Sequence, residues 1–191
     1  EKAGGYQQEL WSASAPLGAD GWPGEWSFPT PLVTGYGPHY MPADAHEGEA
    51  GKIKAFRDPA YFRDPADGGE YLAFTASLAG SGSAFNGAFG LALKGANGWI
   101  LMPPCLHAEG VNNELERAHL VYHAKHYYAF WSTQTVTFAE HLRHFRHTEN
   151  HAVSLLQQLG CFTRWKAGQC RGHVEQVTFV HRWQKLTAKP T

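Results

Sequence analysis

At 191 residues, 43% hydrophobic and 17% charged, the chain can build one sizeable core and is too short for several full domains. A formal charge of −1 supplies no global field to attract nucleic acid. No run of roughly 18 apolar residues exists, which excludes a spanning helix. Aromatic residues at 14%, with 21 Gly and 11 Pro, suit many turns between short strands, as in β-rich proteins and carbohydrate-binding clefts. Cys105, Cys161 and Cys170 form an odd set with no CxxC spacing, so a disulfide framework is not expected, although a Cys161–Cys170 bridge stays open. The opening at Glu1, without initiator Met or signal peptide, reads as a mature chain or one whose beginning has been lost.

Charge divides the chain. Residues 1–139 hold eight Lys/Arg against fourteen Asp/Glu, and residues 140–191 hold eight against three. The expected organisation is therefore a core over 1–139 and a divergent basic tail over 140–191.

The core reads as short strands in chain order. Phe28 to Val33 is broken by Pro29 and Pro31. Tyr71–Ser77 follows the turn signal Asp67-Gly68-Gly69 and has the β-favouring content of a strand. Ala88–Leu93 is closed by Lys94-Gly95-Ala96-Asn97-Gly98, and Trp99–Met102 stops at Pro103-Pro104. His119–Tyr122 and Tyr127–Ser132 flank a short connection and suggest a hairpin. Such spacing favours a sandwich, barrel or propeller. The tail changes period. Phe138, Leu142, Phe145, Val153, Leu156 and Leu159 follow helical spacing, Thr137 with Glu140 resembles a capping box, and Gly160 supplies a stop. One helix is expected over 138–159, then a last strand over Val174–His181.

Two acidic constellations could carry chemistry. Phe56-Arg57-Asp58-Pro59 sets a carboxylate beside a guanidinium, before a proline that forces Asp58 into an extended or turn conformation. Asn112-Asn113-Glu114-Leu115-Glu116-Arg117 puts both glutamates on one side of an extended strand, with Arg117 on the other unless a bulge re-aims it. Spacing alone allows surface ion pairs. They are the commoner outcome of such spacing, and the same spacing also allows the two separated carboxylates that glycoside cleavage requires.

Neighbouring sequence bears on that choice. FRDP, then Gly69–Phe74, Phe85–Leu91, Trp99–Pro104 and Gly110–His119, resembles glycoside hydrolase family 68, the levansucrases, inulosucrases and related β-fructofuranosidases. Leu10-Trp-Ser-Ala-Ser-Ala15 and Trp131–Ala139 look like two further family segments, all in family order over roughly residues 6–139. The resemblance implies an all-β fold: a five-bladed β-propeller, or part of one, with the helix near 138–159 added. It implies a retaining fructosyl transfer or hydrolysis on sucrose through a covalent fructosyl-enzyme. Asp58 would stabilise the oxocarbenium-like transition state, and Glu116 would be the acid/base. Arg57, Glu114 and Arg117 would bind sugar hydroxyls, and Trp11 and Ser12 would line the fructosyl subsite. Gln134 stands where the family places Arg or His in the glucosyl or acceptor region. The implied partners are sucrose and fructosyl acceptors, with neither nucleic acid nor membrane, and the implied location is extracellular. No cofactor is implied, and a structural Ca²⁺ has no signal of its own here.

The departures matter as well. The family's nucleophile is an Asp in a Trp-Asp-rich strand upstream of the Trp-Ser segment, and no Asp precedes Trp11 here. Asp20 follows that segment and does not align with the role. The chain is thus expected to lack the nucleophile, which leaves room for a second chain supplying a missing blade. It also leaves a second reading, a truncated or non-catalytic sugar-binding relative. The family's later strands do not follow Ala139, as though a reading-frame shift or a joined sequence began there.

Other features point to structure. His141, His144, His147 and His151 share a face of the expected helix and could ligate Zn²⁺ or Cu²⁺, but without HExxH or a carboxylate in register a solvated face is the reading. Gly80-Ser-Gly-Ser-Ala84 is a flexible loop, Cys105 a small apolar residue, and Trp22, Trp26, Trp165 and Trp183 packing residues by default.

Overall fold

The computed structural model describes residues 8–42, 54, 56–123, 126–145, 158–161 and 178–179. Its short apolar runs pair as antiparallel strands in chain order. A two-stranded ribbon, β1 (Trp11–Ser12) with β2 (Thr30–Pro31), comes first. Next comes a four-stranded meander of β3 (Arg57–Arg63), β4 (Glu70–Ser77), β5 (Gly87–Gly95) and β6 (Gly98–His107). A second meander follows, of β7 (Glu116–His123), β8 (His126–Ser132), β9 (Gln158–Cys161) and β10 (Thr178–Phe179). Four-stranded meanders set side by side are the blades of a β-propeller. The described residues contain two of them, without ring closure, so the fold is part of a propeller.

Alternation along β4 places the blades. Leu72, Phe74 and Ala76 point to one face, where Leu10, Tyr40 and Phe56 join them in a buried cluster. Tyr71 and Ala73 point to the other, against Leu115, Ala118, Leu120, Ala129 and Trp131 of the second blade. The first blade is therefore buried on both faces, which is why β4 and the first part of β5 read as near-continuous apolar sequence. Packing is tight at Gly90, where an added Cβ would lie 2.2 Å from the Phe74 ring.

The strand expected at Trp99–Met102 does not stop at its prolines; β6 runs on to His107. It is the edge of its sheet, where a missing proline N–H costs little, and the register shifts between Phe89 and Leu91. The buried Tyr40 hydroxyl fills the gap, donating to Met102 O at 2.6 Å and accepting from Leu91 N at 3.0 Å.

The helix expected over 138–159 is not what the described part of that stretch forms. Glu140–Phe145 is a 3-10 helix and Gln158–Cys161 is strand β9, paired with β8; residues 146–157 lie outside the described residues. Thr137 does not cap it. Its hydroxyl turns back to Gln134 O at 2.7 Å, while Arg143 donates to Phe138 O and Val136 O at 2.8 and 2.9 Å. Of the expected strand at Val174–His181, Thr178–Phe179 is described, as β10. His147, His151, Trp165, Cys170 and Trp183 also lie outside the described residues.

A candidate active site at the head of two blades

The first strands of the two blades begin alike. In β3 the ladder pairs Arg57 with Thr75 and next Ala60 with Ala73; in β7 it pairs Glu116 with Ser132 and next His119 with Phe130. Each strand thus carries a bulge, and the residue just inside it has a left-handed backbone: Asp58 and Arg117, both at φ 53°. Few non-glycine residues adopt that conformation, and it turns Asp58 and Arg117 out of the ordinary alternation.

The bulges aim four charged groups at one place. The Arg57 guanidinium, 5% exposed, binds Glu114 Oε2 and, at 2.9 Å, Glu116 Oε1 through the same Nη2. Its Nε lies 3.9 Å from Asp58 Oδ2. Asp58 Oδ2 also accepts the Arg117 N–H at 3.1 Å and the Thr75 hydroxyl at 3.4 Å. Asp58 and Glu116 therefore converge on one guanidinium from neighbouring blades. Glu114 is buried at 2% exposure, and burial pushes its carboxyl pKa up, an effect reinforced by Glu116 and Asp58 and opposed by Arg57. Glu114 Oε1 and Ser132 Oγ are buried in the cluster with no hydrogen-bond partner among the described residues.

A polar layer holds the Asn112–Glu116 segment. Asn112 accepts from Glu114 N at 2.9 Å and donates to Thr133 Oγ1 at 2.8 Å; Asn113 N donates to Thr137 O at 2.8 Å. Trp131–Ala139 thus acts as a brace behind Glu114. A Cβ on Gly87 would stand 2.6 Å from Glu114 N, so only glycine lets β5 start this close. Lys54, buried at 3% exposure, donates to Ala84 O at 2.7 Å, Asn86 Oδ1 at 2.6 Å and Asn113 Oδ1.

Not all expected residues join. The Arg117 side chain is exposed, and its backbone rather than its guanidinium meets Asp58. Trp11 is 51% exposed with its indole N–H on Glu9 at 3.2 Å, and Ser12 pairs with Thr30 in the ribbon. Gln134 is exposed, two residues beyond Ser132, with its carbonyl holding Thr137. The sequence reading missed Lys54, Thr75 and Ser132. Thr75 and Ser132 are cross-strand partners of Arg57 and Glu116, a relation visible only with the register in hand. Lys54 carried no motif signal.

Fold and site together define part of a propeller with an arginine-bound carboxylate cluster at the starts of its two described blades. No family model matches the chain. Among curated proteins it is 34% identical over 113 residues to the levansucrase Lscgamma of Pseudomonas syringae pv. actinidiae, covering 46% of this chain and 26% of that one. It is 33% identical over 113 residues to the Erwinia amylovora levansucrase, covering 46% and 27%. The chain thus spans about a quarter of the length of these relatives. Among solved structures, an inulosucrase from Halalkalicoccus jeotgali bound to kestose superposes with TM-score 0.58 at 32% identity, over 71% of this chain and 37% of that one. Bacillus subtilis levansucrase superposes with TM-score 0.59 at 20% identity, over 70% and 40%, a likeness of fold. The central part of the chain is thus similar to levansucrases and an inulosucrase.

Proposed function

We propose that this chain carries the acid/base and transition-state-stabilising half of a sucrose-acting fructosyltransferase or β-fructofuranosidase site. The observation that carries the reading is the Arg57 guanidinium, which gathers Glu114 and Glu116 from one blade and lies beside Asp58 of the other. Glu116, half-buried at the mouth, protonates the glycosidic oxygen of sucrose and later deprotonates the acceptor. Asp58, fixed by the Arg117 N–H, faces the developing positive charge of the fructosyl ring. Arg57 and Glu114 hold sugar hydroxyls. Trp11, Ser12, Arg117 and Gln134 would contact substrate by the family resemblance alone, since their side chains do not join the cluster here.

A retaining reaction needs a nucleophilic carboxylate about 5 Å from the acid/base. The described Asp residues beyond Asp58 are engaged elsewhere: Asp64 with Tyr127, Asp67 with Gly69 N, Asp20 with Trp22 N. Asp44 lies outside the described residues. The nucleophile therefore comes from outside the described residues, from another stretch or a second chain bearing the missing blade. An extracellular location fits sucrose as substrate; among the described residues no helix is long and apolar enough to cross a membrane.

Sucrose titrated onto the chain, with carboxyl NMR and product release followed together, tests this. Saturable binding weakened at least about tenfold by Asp58→Asn or Glu116→Gln supports the site, because each loses a charged hydrogen-bond partner. Binding without turnover favours the second reading, a sugar-binding relative. Binding indifferent to both substitutions overturns the assignment.

A further inference from the structure

Lys54 is a buried ammonium with three oxygen partners, each from a different stretch than its own. Ala84 O and Asn86 Oδ1 belong to the loop between β4 and β5, and Asn113 Oδ1 to the loop entering β7. Asn86 in turn donates to Leu78 O at 3.0 Å. Three donors meeting three acceptors leave the ammonium fully used, the condition under which a buried cation is tolerated. Asn113 is joined directly to Glu114, whose backbone already rests on Gly87 with no room for a Cβ. Two sides of the Asn113–Glu114 peptide are therefore fixed, one by β5 and one by Lys54.

Resting on the reading above, we infer that Lys54 is a positioning residue of the acid/base segment: its ammonium anchors Asn113 and so holds the Glu114 carboxylate on Arg57. It touches no reacting atom. Its charge matters as well as its hydrogen bonds. Among the described residues Arg57 is the side-chain cation beside Asp58, Glu114 and Glu116, and Lys54 brings a second positive charge behind Glu114. The attraction is reciprocal, since Glu114 favours the charged Lys54 as Lys54 favours the charged Glu114. Burial, the largest influence, and Arg57 together lower the Lys54 pKa to about 8 against the pull of Glu114.

The test needs no turnover, so it can fail separately from the proposed function. Glutamate carboxyl carbons are followed by NMR across pH in the full chain and in Lys54→Met, whose volume matches. In the folded variant the Glu114 titration should move up, with Arg57, Asp58 and Glu116 left as the charges facing it, and the Asn113 side-chain amide should exchange faster. An unmoved Glu114 titration in a folded Lys54→Met overturns the inference. If that variant does not fold, the wild type decides. Raising pH through about 8 should deprotonate Lys54 and produce an inflection in the Glu114 carboxyl shift at the same midpoint. A Glu114 signal flat across that range overturns the inference equally.

Discussion

The Arg117 backbone N–H donates to Asp58 Oδ2 at 3.1 Å, and both residues sit at φ 53° just inside the bulge of their blade's first strand. The same local device, repeated in two blades, locks one blade's carboxylate to the next blade's main chain. No side-chain identity is shared between Arg57-Asp58-Pro59 and Glu116-Arg117-Ala118. The repeat is one of backbone, which is why it leaves no internal repeat in the sequence.

That conformation separates chemistry from folding at Asp58. Asparagine tolerates a left-handed backbone, so Asp58→Asn should lose sugar binding while keeping thermal stability near wild type. Alanine does not, and Asp58→Ala should cost a further ~1–2 kcal/mol. Denaturant melts of the two variants side by side check the difference.

The blades are also tied at a second place. The buried Tyr127 hydroxyl lies 2.8 and 2.9 Å from the two oxygens of Asp64, joining β8 to the end of β3. Tyr127→Phe should destabilise by about 1–3 kcal/mol, since the Asp64 carboxylate stays buried and loses a donor. Burial, and then Asp64, push the Tyr127 pKa above its usual 10.0. A group with a raised folded-state pKa stabilises fully below its unfolded value and loses that contribution as pH rises toward the folded one. Wild-type stability should therefore fall above about pH 10, and Tyr127→Phe should show a shallower alkaline fall.

Gly90 tests the blade packing. Gly90→Ala should destabilise by about 1–3 kcal/mol through overpacking on Phe74, and Phe74→Leu in the same chain should recover part of it. A Gly90→Ala melt at the wild-type midpoint would contradict the close approach at this pair.

Much of this was legible beforehand because the chemistry sits in contiguous motifs. Arg57-Asp58 and Glu114-Leu115-Glu116 mark the cluster once the family resemblance is added to their type and spacing, and short β-favouring runs between turn residues mark β4, β5 and β8. The tail misled because Phe138, Leu142 and Phe145 fit a helical period that a 3-10 turn also satisfies over so short a stretch. Pro103-Pro104 looked like a strand end because nothing in sequence says which strand is an edge, or that Tyr40 would supply the missing hydrogen bonds. Lys54 stayed hidden for a related reason: its partners, Ala84, Asn86 and Asn113, are assembled only by the fold.

The most direct measurement grafts residues 56–139 of this chain into the levansucrase of Erwinia amylovora, replacing its matching segment, and follows glucose released from sucrose. The host supplies the rest of its propeller. Arg57, Asp58, Glu114 and Glu116 then have to work as the site they form here. The account predicts a folded graft that cleaves sucrose, with Glu116→Gln and Asp58→Asn each lowering turnover by several orders of magnitude. A folded graft that cleaves sucrose no differently with those substitutions, or not at all without them, would contradict it.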